Sequence, residues 1–252
     1  LQVVSVSSPV LSFLVLQLAS LRITLVLDAF SFFLAFGLVA LLPKKEEKTL
    51  GEKKLTFKVI CADIKEGVHY IVKQKEIFFL LVMASSVNFF FAAFNYLLPF
   101  SNQLYGVQGA YATILTMGAI GSIVGALLAS KIKASMEMLL FLLALTGLGV
   151  MIMGFPLPSY LAFSGNFICE LFMTIFNIHF FTQVQTKVEG EYLGRVLSSI
   201  YTLAILFMPI ATGLMTWLPS VHLYSFLIIG LGVVSLSFLA LGYVRTRFEK
   251  ET

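Results

Sequence analysis

One acidic side chain, Glu170, stands near the middle of a long apolar run, Tyr160–Thr182. Asn166, Thr174 and Asn177 lie one turn before it, one turn after it and two turns after it, so a helix would carry all four on one face. A charged carboxylate in a membrane interior costs several kcal/mol, with a lower estimate of about 3. It must therefore face a cavity, find a partner or take up a proton. Two readings stay open: a cavity face on which Glu170 binds a proton or a cationic ligand, and a protonated Glu170 that hydrogen-bonds a neighbouring helix.

A second polar face lies in Ile77–Phe100, where Ser85, Asn88, Asn95 and Tyr96 fall within about a third of the helical wheel. It reads as cavity lining or as polar helix packing. Arg195 follows Gly194 just before the apolar run Val196–Leu218, where a planar cation can reach neighbouring helix ends. This pair is a gating candidate, and a simple charged anchor is the plainer account. Pro209 interrupts the same run. Asp28 is a lesser candidate, because a carboxylate near a helix N-terminus is stabilised by the dipole alone. His179 and Glu137 fall near the boundaries of their runs. Gly118, Gly121 and Gly125 share one side of their segment and predict close helix packing.

The elements that must position these groups are membrane helices. The chain is 59% hydrophobic and 12% charged, against about a quarter charged in soluble domains. A spanning helix needs about 20 mostly apolar residues. Eight segments qualify: Leu1–Ala19, Ile23–Leu42, Ile77–Phe100, Ala110–Ser130, Met136–Phe155, Tyr160–Thr182, Val196–Leu218 and His222–Val244. Of the 17 Lys and Arg residues, only Arg22 lies in a loop on one side. The rest fall in Lys44–Lys75, at Lys131 and Lys133, at Lys187 and Arg195, and in the tail. Basic loops stay cytoplasmic, so both ends are expected inside a multi-pass plasma-membrane protein. Trp217, Tyr105 and Tyr160 fall at the outer boundary.

The organisation expected is two helices in residues 1–43, a cytoplasmic linker over 44–76, a six-helix bundle over 77–244 and a cytoplasmic tail over 245–252. In the linker Phe57, Ile60, Ile64, Val68 and Ile71 recur at near-helical spacing, which predicts an amphipathic helix on the inner membrane surface. Ser8-Pro9 and Met208-Pro209, each beside small residues in an outward-running segment, form a weak internal repeat. The start LQVVSVSSPV has neither a basic leader nor an initiator Met and reads as a truncation.

Several classes lack their parts. The basic residues are dispersed over loops and suit an anionic inner leaflet, not nucleic acid. No nucleophile motif, phosphate-binding glycine loop or Cys/His metal spacing occurs, so neither an enzyme, a metal site nor a cofactor is expected. Cys61 and Cys169 fall at different depths and do not read as a disulfide.

Three stretches carry a family resemblance. Leu25-Val26-Leu27-Asp28-Ala29-Phe30-Ser31-Phe32 looks like the start of helix six, and Ile64-Lys65-Glu66-Gly67-Val68-His69-Tyr70 like the amphipathic helix before helix seven. Glu191-Tyr192-Leu193-Gly194-Arg195-Val196, with Gln185 upstream, looks like the loop between helices ten and eleven. Together they resemble the C-terminal half of a major facilitator superfamily transporter, in particular bacterial multidrug exporters of the macrolide-efflux type. Two departures stand out. Val6-Ser7-Ser8-Pro9-Val10-Leu11 lacks the glycine-rich antiporter pattern, and Val188 and Gly190 stand where the family often has proline. The resemblance implies an all-α membrane fold spanning helices five to twelve, with the rest of the N-terminal half as a missing partner. It implies proton-coupled efflux of an amphipathic drug, with the substrate site between halves. The alternatives are a facilitator for another small solute, a seven-helix receptor, and a non-functional gene remnant.

Overall fold

In the computed structural model the described residues are 21–40, 65–66, 68–133, 135–218 and 220–248. The expected first span Leu1–Ala19, the Ser8-Pro9 motif, Cys61, most of the linker and the last residues of the tail lie outside them. Helix α1 is Leu21–Ala40. Residues 65, 66 and 68–73 are helical and lead into α2, Lys75–Leu97. A 3-10 turn, Leu98–Phe100, and the short α3, Ser101–Tyr105, prolong that line. Then come α4 Ala110–Ala129, α5 Met136–Gly154, α6 Ser159–Lys187, α7 Gly190–Thr216 and α8 Tyr224–Phe248. Six helical stretches, built on α2, α4, α5, α6, α7 and α8, are long and apolar enough to cross a membrane.

Local chemistry sets the ends. Pro99, with no N–H to donate, sits in the 3-10 turn that follows α2. Gly106 and Gly109 take positive φ of 65° and 81°, which L side chains resist, and so turn the chain into α4. Ser135 caps α5 by accepting from the Met138 N–H at 3.2 Å, and Glu137 complements the dipole in that first turn. The α6 and α7 helices run further than their apolar stretches suggest. Only Val188 and Glu189 separate them, so Gly194 and Arg195 lie inside α7 and not in a loop.

The helices pack α4 on α6, α5 on both α6 and α8, and α2 on both α7 and α8. Exchanging α2 with α6, α4 with α7 and α5 with α8 leaves this pattern unchanged. The bundle is thus two three-helix repeats, α2-α4-α5 and α6-α7-α8, in which the first helix of each packs on the second and third helices of the other. By contrast, α1 exposes all its described side chains, with Phe33 and Phe36 each 75% exposed. Within the bundle every described charged side chain except Glu170 lies toward one end, hereafter the charged end. Trp217, at 86% exposure, and Tyr160 mark the opposite end. Tyr105 belongs to the packing there: its hydroxyl donates to the Met153 carbonyl at 2.6 Å, satisfying one open carbonyl in the last turn of α5.

The glycine face of α4 approaches α6 closely. A Cβ at Gly121 would fall on the Phe167 carbonyl, and one at Gly125 on the Leu171 carbonyl. The expected close packing is therefore present, and its partner is the helix that carries Glu170.

Candidate functional site

Glu170 sits on the side of α6 that faces α4. A Cβ at Gly118 would stand 3.0 Å from the Glu170 Cγ and 3.2 Å from the Asn166 Cγ, so both side chains converge on the notch this glycine leaves. Asn166 is 2% exposed, and its Nδ2 donates to the Ile114 carbonyl of α4 at 2.8 Å. Its Oδ1 is buried and accepts no hydrogen bond in the structure. Among the described residues Glu170 forms no ion pair and no side-chain hydrogen bond. Thr174 is half-buried and Asn177 is exposed. The polar stripe thus runs from a packed amide, through a carboxyl in a small-residue notch, to an open amide. The upper part is helix packing and the lower part is free surface.

The second polar face divides differently. Ser85 is buried and lines a cavity of about 630 Å³ between α2, α7 and α8. Its walls are Phe78, Leu81, Val82, Phe89, Phe90, Phe207, Ile210 and Leu236, with Ser85 and Ser86 as the polar contributors. The Ser86 hydroxyl donates to the Val82 carbonyl at 2.8 Å, so it is already satisfied within its own helix. Phe90 seats its ring over Gly232 of α8. Ser85 lies roughly 15 Å along α2 from Lys75, at 1.5 Å per residue, which is near mid-depth. Asn88 is half-buried, Asn95 is exposed and Tyr96 packs against Phe100 at 5.7 Å; none of the three lines this cavity. Nor does Glu170. The structure therefore does not join the two faces in one pocket. Pro209 stands between the lining residues Phe207 and Ile210. Asp28 is exposed on α1.

A third constellation forms at the charged end. Arg195 donates from Nη1 to Glu66 Oε1 at 2.8 Å, and Lys187 pairs with Glu76. The rings of Tyr70 and Tyr192 stack at 4.9 Å, and the Tyr70 hydroxyl accepts from the Glu189 N–H at 3.4 Å. Ile71 is fully buried. The segment before α2 therefore docks on the turn between α6 and α7, and its partners account for part of the amphipathic pattern. Arg245 pairs with Glu137 at 3.3 Å and ties α8 to α5. The Arg195–Glu66 side chains are 31% and 48% exposed, so solvent screens the pair. Arg195→Ala is expected to lower stability by less than about 1 kcal/mol. A denaturant titration in detergent checks this, and a loss of several kcal/mol would instead mark a pair shielded from solvent.

Sequence reading missed Glu66, Tyr70, Glu76 and Lys187 as partners, because they meet across 111 to 129 positions. It also missed the cavity walls. A signal was present in Phe78, Val82, Ser85 and Phe89, which recur at helical spacing on the side of α2 that holds Ser85.

No curated protein and no solved structure matches the chain. The model of the Major Facilitator Superfamily matches residues 1–204, most of the chain. An all-helical bundle of six membrane-length helices, paired as two interleaved repeats, agrees with that match, and the chain belongs to the Major Facilitator Superfamily of membrane transporters.

Proposed function

We propose that this chain is part of a secondary transporter that exports apolar, amphipathic compounds in exchange for protons. The observation that carries the reading is the cavity wall. It is built of phenylalanine, leucine, isoleucine and valine with two serine hydroxyls and no charge. Such a surface gains free energy from burying apolar area and offers little to a sugar or an ion, which need several oriented polar partners. Amphipathic drugs such as macrolides fit the class. Glu170 supplies the proton site, as an acid at mid-span that no cation neutralises among the described residues.

The bundle α2–α8 acts as the C-terminal half, and α1 belongs to the end of the N-terminal half. The support is exposure: α7 is the least buried of the six candidate spans, with Tyr201, Ile205, Leu206 and Ile210 more than half exposed. A second helical half packed there would cover them and close the cavity from the side. The charged end faces the cytoplasm, consistent with the inward bias of Lys and Arg.

Ser85→Leu fills the cavity near its middle. It is expected to weaken binding of a macrolide probe at least tenfold, about 1.4 kcal/mol, with the bundle still folded. Equilibrium binding to the transporter in nanodiscs measures this. Unchanged affinity in Ser85→Leu, and in a Phe207→Ala variant that strips the opposite wall, would remove the cavity from the substrate path.

A further inference from the structure

We infer that Asn166 is the hydrogen-bond partner that holds the proton-loaded form of Glu170, and so works as a positioning residue for the proton site. The inference rests on the reading of Glu170 as the proton carrier, and it starts from an orphaned atom.

Asn166 is almost wholly buried, and its amide orientation is decided by its neighbour. The group beside it is the Ile114 carbonyl, which can only accept, so the amide must present its NH2 there, at 2.8 Å. The Oδ1 is thereby turned away from α4's backbone and left buried without a donor. Buried acceptors in folded proteins are nearly always paired. The structure thus points to a donor that is present in one state of the molecule only.

Glu170 is one helical turn further along α6 and shares the Gly118 notch with Asn166. A protonated carboxyl carries one O–H donor, whereas the ionised form only accepts. The other charged and titratable side chains on elements touching α6 are engaged elsewhere. Glu137 of α5 pairs with Arg245, Glu76 at the start of α2 pairs with Lys187, and Arg195 of α7 pairs with Glu66. Tyr111 of α4 is exposed at the opposite end, and Tyr201 of α7 stacks on Phe181. Cys169 lies on the side of α6 that faces Gly149 of α5. None of these supplies Oδ1 with a proton.

Two states of the notch follow. Proton-loaded Glu170 donates to Asn166 Oδ1, and every buried polar atom of the pair is satisfied. When the proton leaves, two acceptors share one notch, and the half-buried carboxylate swings away from α4 toward its open side. The notch thus reports the protonation of Glu170 as a side-chain position, next to the α4–α6 contact.

Infrared difference spectroscopy on the 252-residue chain in nanodiscs, titrated with pH, tests this. A protonated-carboxyl C=O band that vanishes in Glu170→Gln identifies the residue. The band is expected at the frequency of a hydrogen-bonded acid in the unmodified chain. In Asn166→Leu it is expected to move up to that of a free acid. A free-acid frequency already in the unmodified chain overturns the inference without any Asn166 variant. So does an unmoved band in a folded Asn166→Leu protein. If no Glu170-dependent band appears at any pH, the proton-carrier reading fails and takes this inference with it.

Discussion

Replacing Glu170 by glutamine is expected to abolish the pH dependence of transport while leaving the bundle assembled. Gln keeps the length of the side chain and its place beside Gly118, so the α4–α6 contact stays as it is. It cannot release a proton. Its NH2 can donate to the orphaned Asn166 Oδ1, so the variant is expected to adopt the arrangement inferred for proton-loaded Glu170. An exchanger locked in one protonation state cannot complete its cycle, and uptake driven by an imposed pH gradient is expected to fall at least tenfold in proteoliposomes of the complete transporter. Substrate binding, placed by the proposed reading in the cavity between α2, α7 and α8, is expected to persist. Glu170→Leu separates chemistry from packing. It removes titration and hydrogen bonding together, and leaves Asn166 Oδ1 buried without any donor. Its transport defect should match that of the glutamine variant, and its stability should be lower by about 1–3 kcal/mol, the cost of an unsatisfied buried group. Undiminished gradient-driven transport by Glu170→Gln would remove Glu170 from coupling and leave it a packing residue.

The second large effect concerns the α4–α6 contact itself. Gly121→Val is expected to destabilise the bundle by at least about 1–3 kcal/mol, the usual range for overpacking, or to prevent its assembly. A Cβ at this position meets the Phe167 carbonyl, which is part of the α6 backbone and cannot rotate out of the way. The two helices must then separate along their length, and that separation would also open the notch that holds Asn166 and Glu170. Gly242→Ala is the matched control. Nothing lies within 4 Å of a Cβ there, so the variant is expected to be neutral or stabilised by about 0.5–1 kcal/mol through helix propensity. Unfolding in mixed detergent compares the two. Equal stabilities would mean that α4 and α6 are not in intimate contact in the membrane.

The distinction between these two glycines marks the limit of what residue type can tell. Both are glycines in apolar helices, and only the neighbouring helix decides which one is indispensable. The same holds at the charged end. Beside the apolar positions Val68 and Ile71, Glu66, Tyr70 and Glu76 find partners on α6, on α7 and in the turn between them, which spacing along the chain does not reveal. Arg195, placed by its sequence where a cation can reach neighbouring helix ends, pairs with Glu66 from the segment before α2.

What the sequence determined by itself is what depends on local chemistry. Apolar length marked the six spans found among the described residues, because a bilayer requires about 20 apolar residues whatever the fold. An acid at mid-span is recognisable as costly from its position alone, and glycines at helical spacing announce a close approach without naming the partner. The tertiary structure decided which faces meet. It placed Asn166 and Glu170 against α4 and turned Ser85 toward a separate apolar cavity. It also left Asn177 and Asn95 in the open. These outcomes depend on packing between residues far apart in the chain, where shape and backbone distance select the neighbour. Polarity along one helix records only that some neighbour is needed.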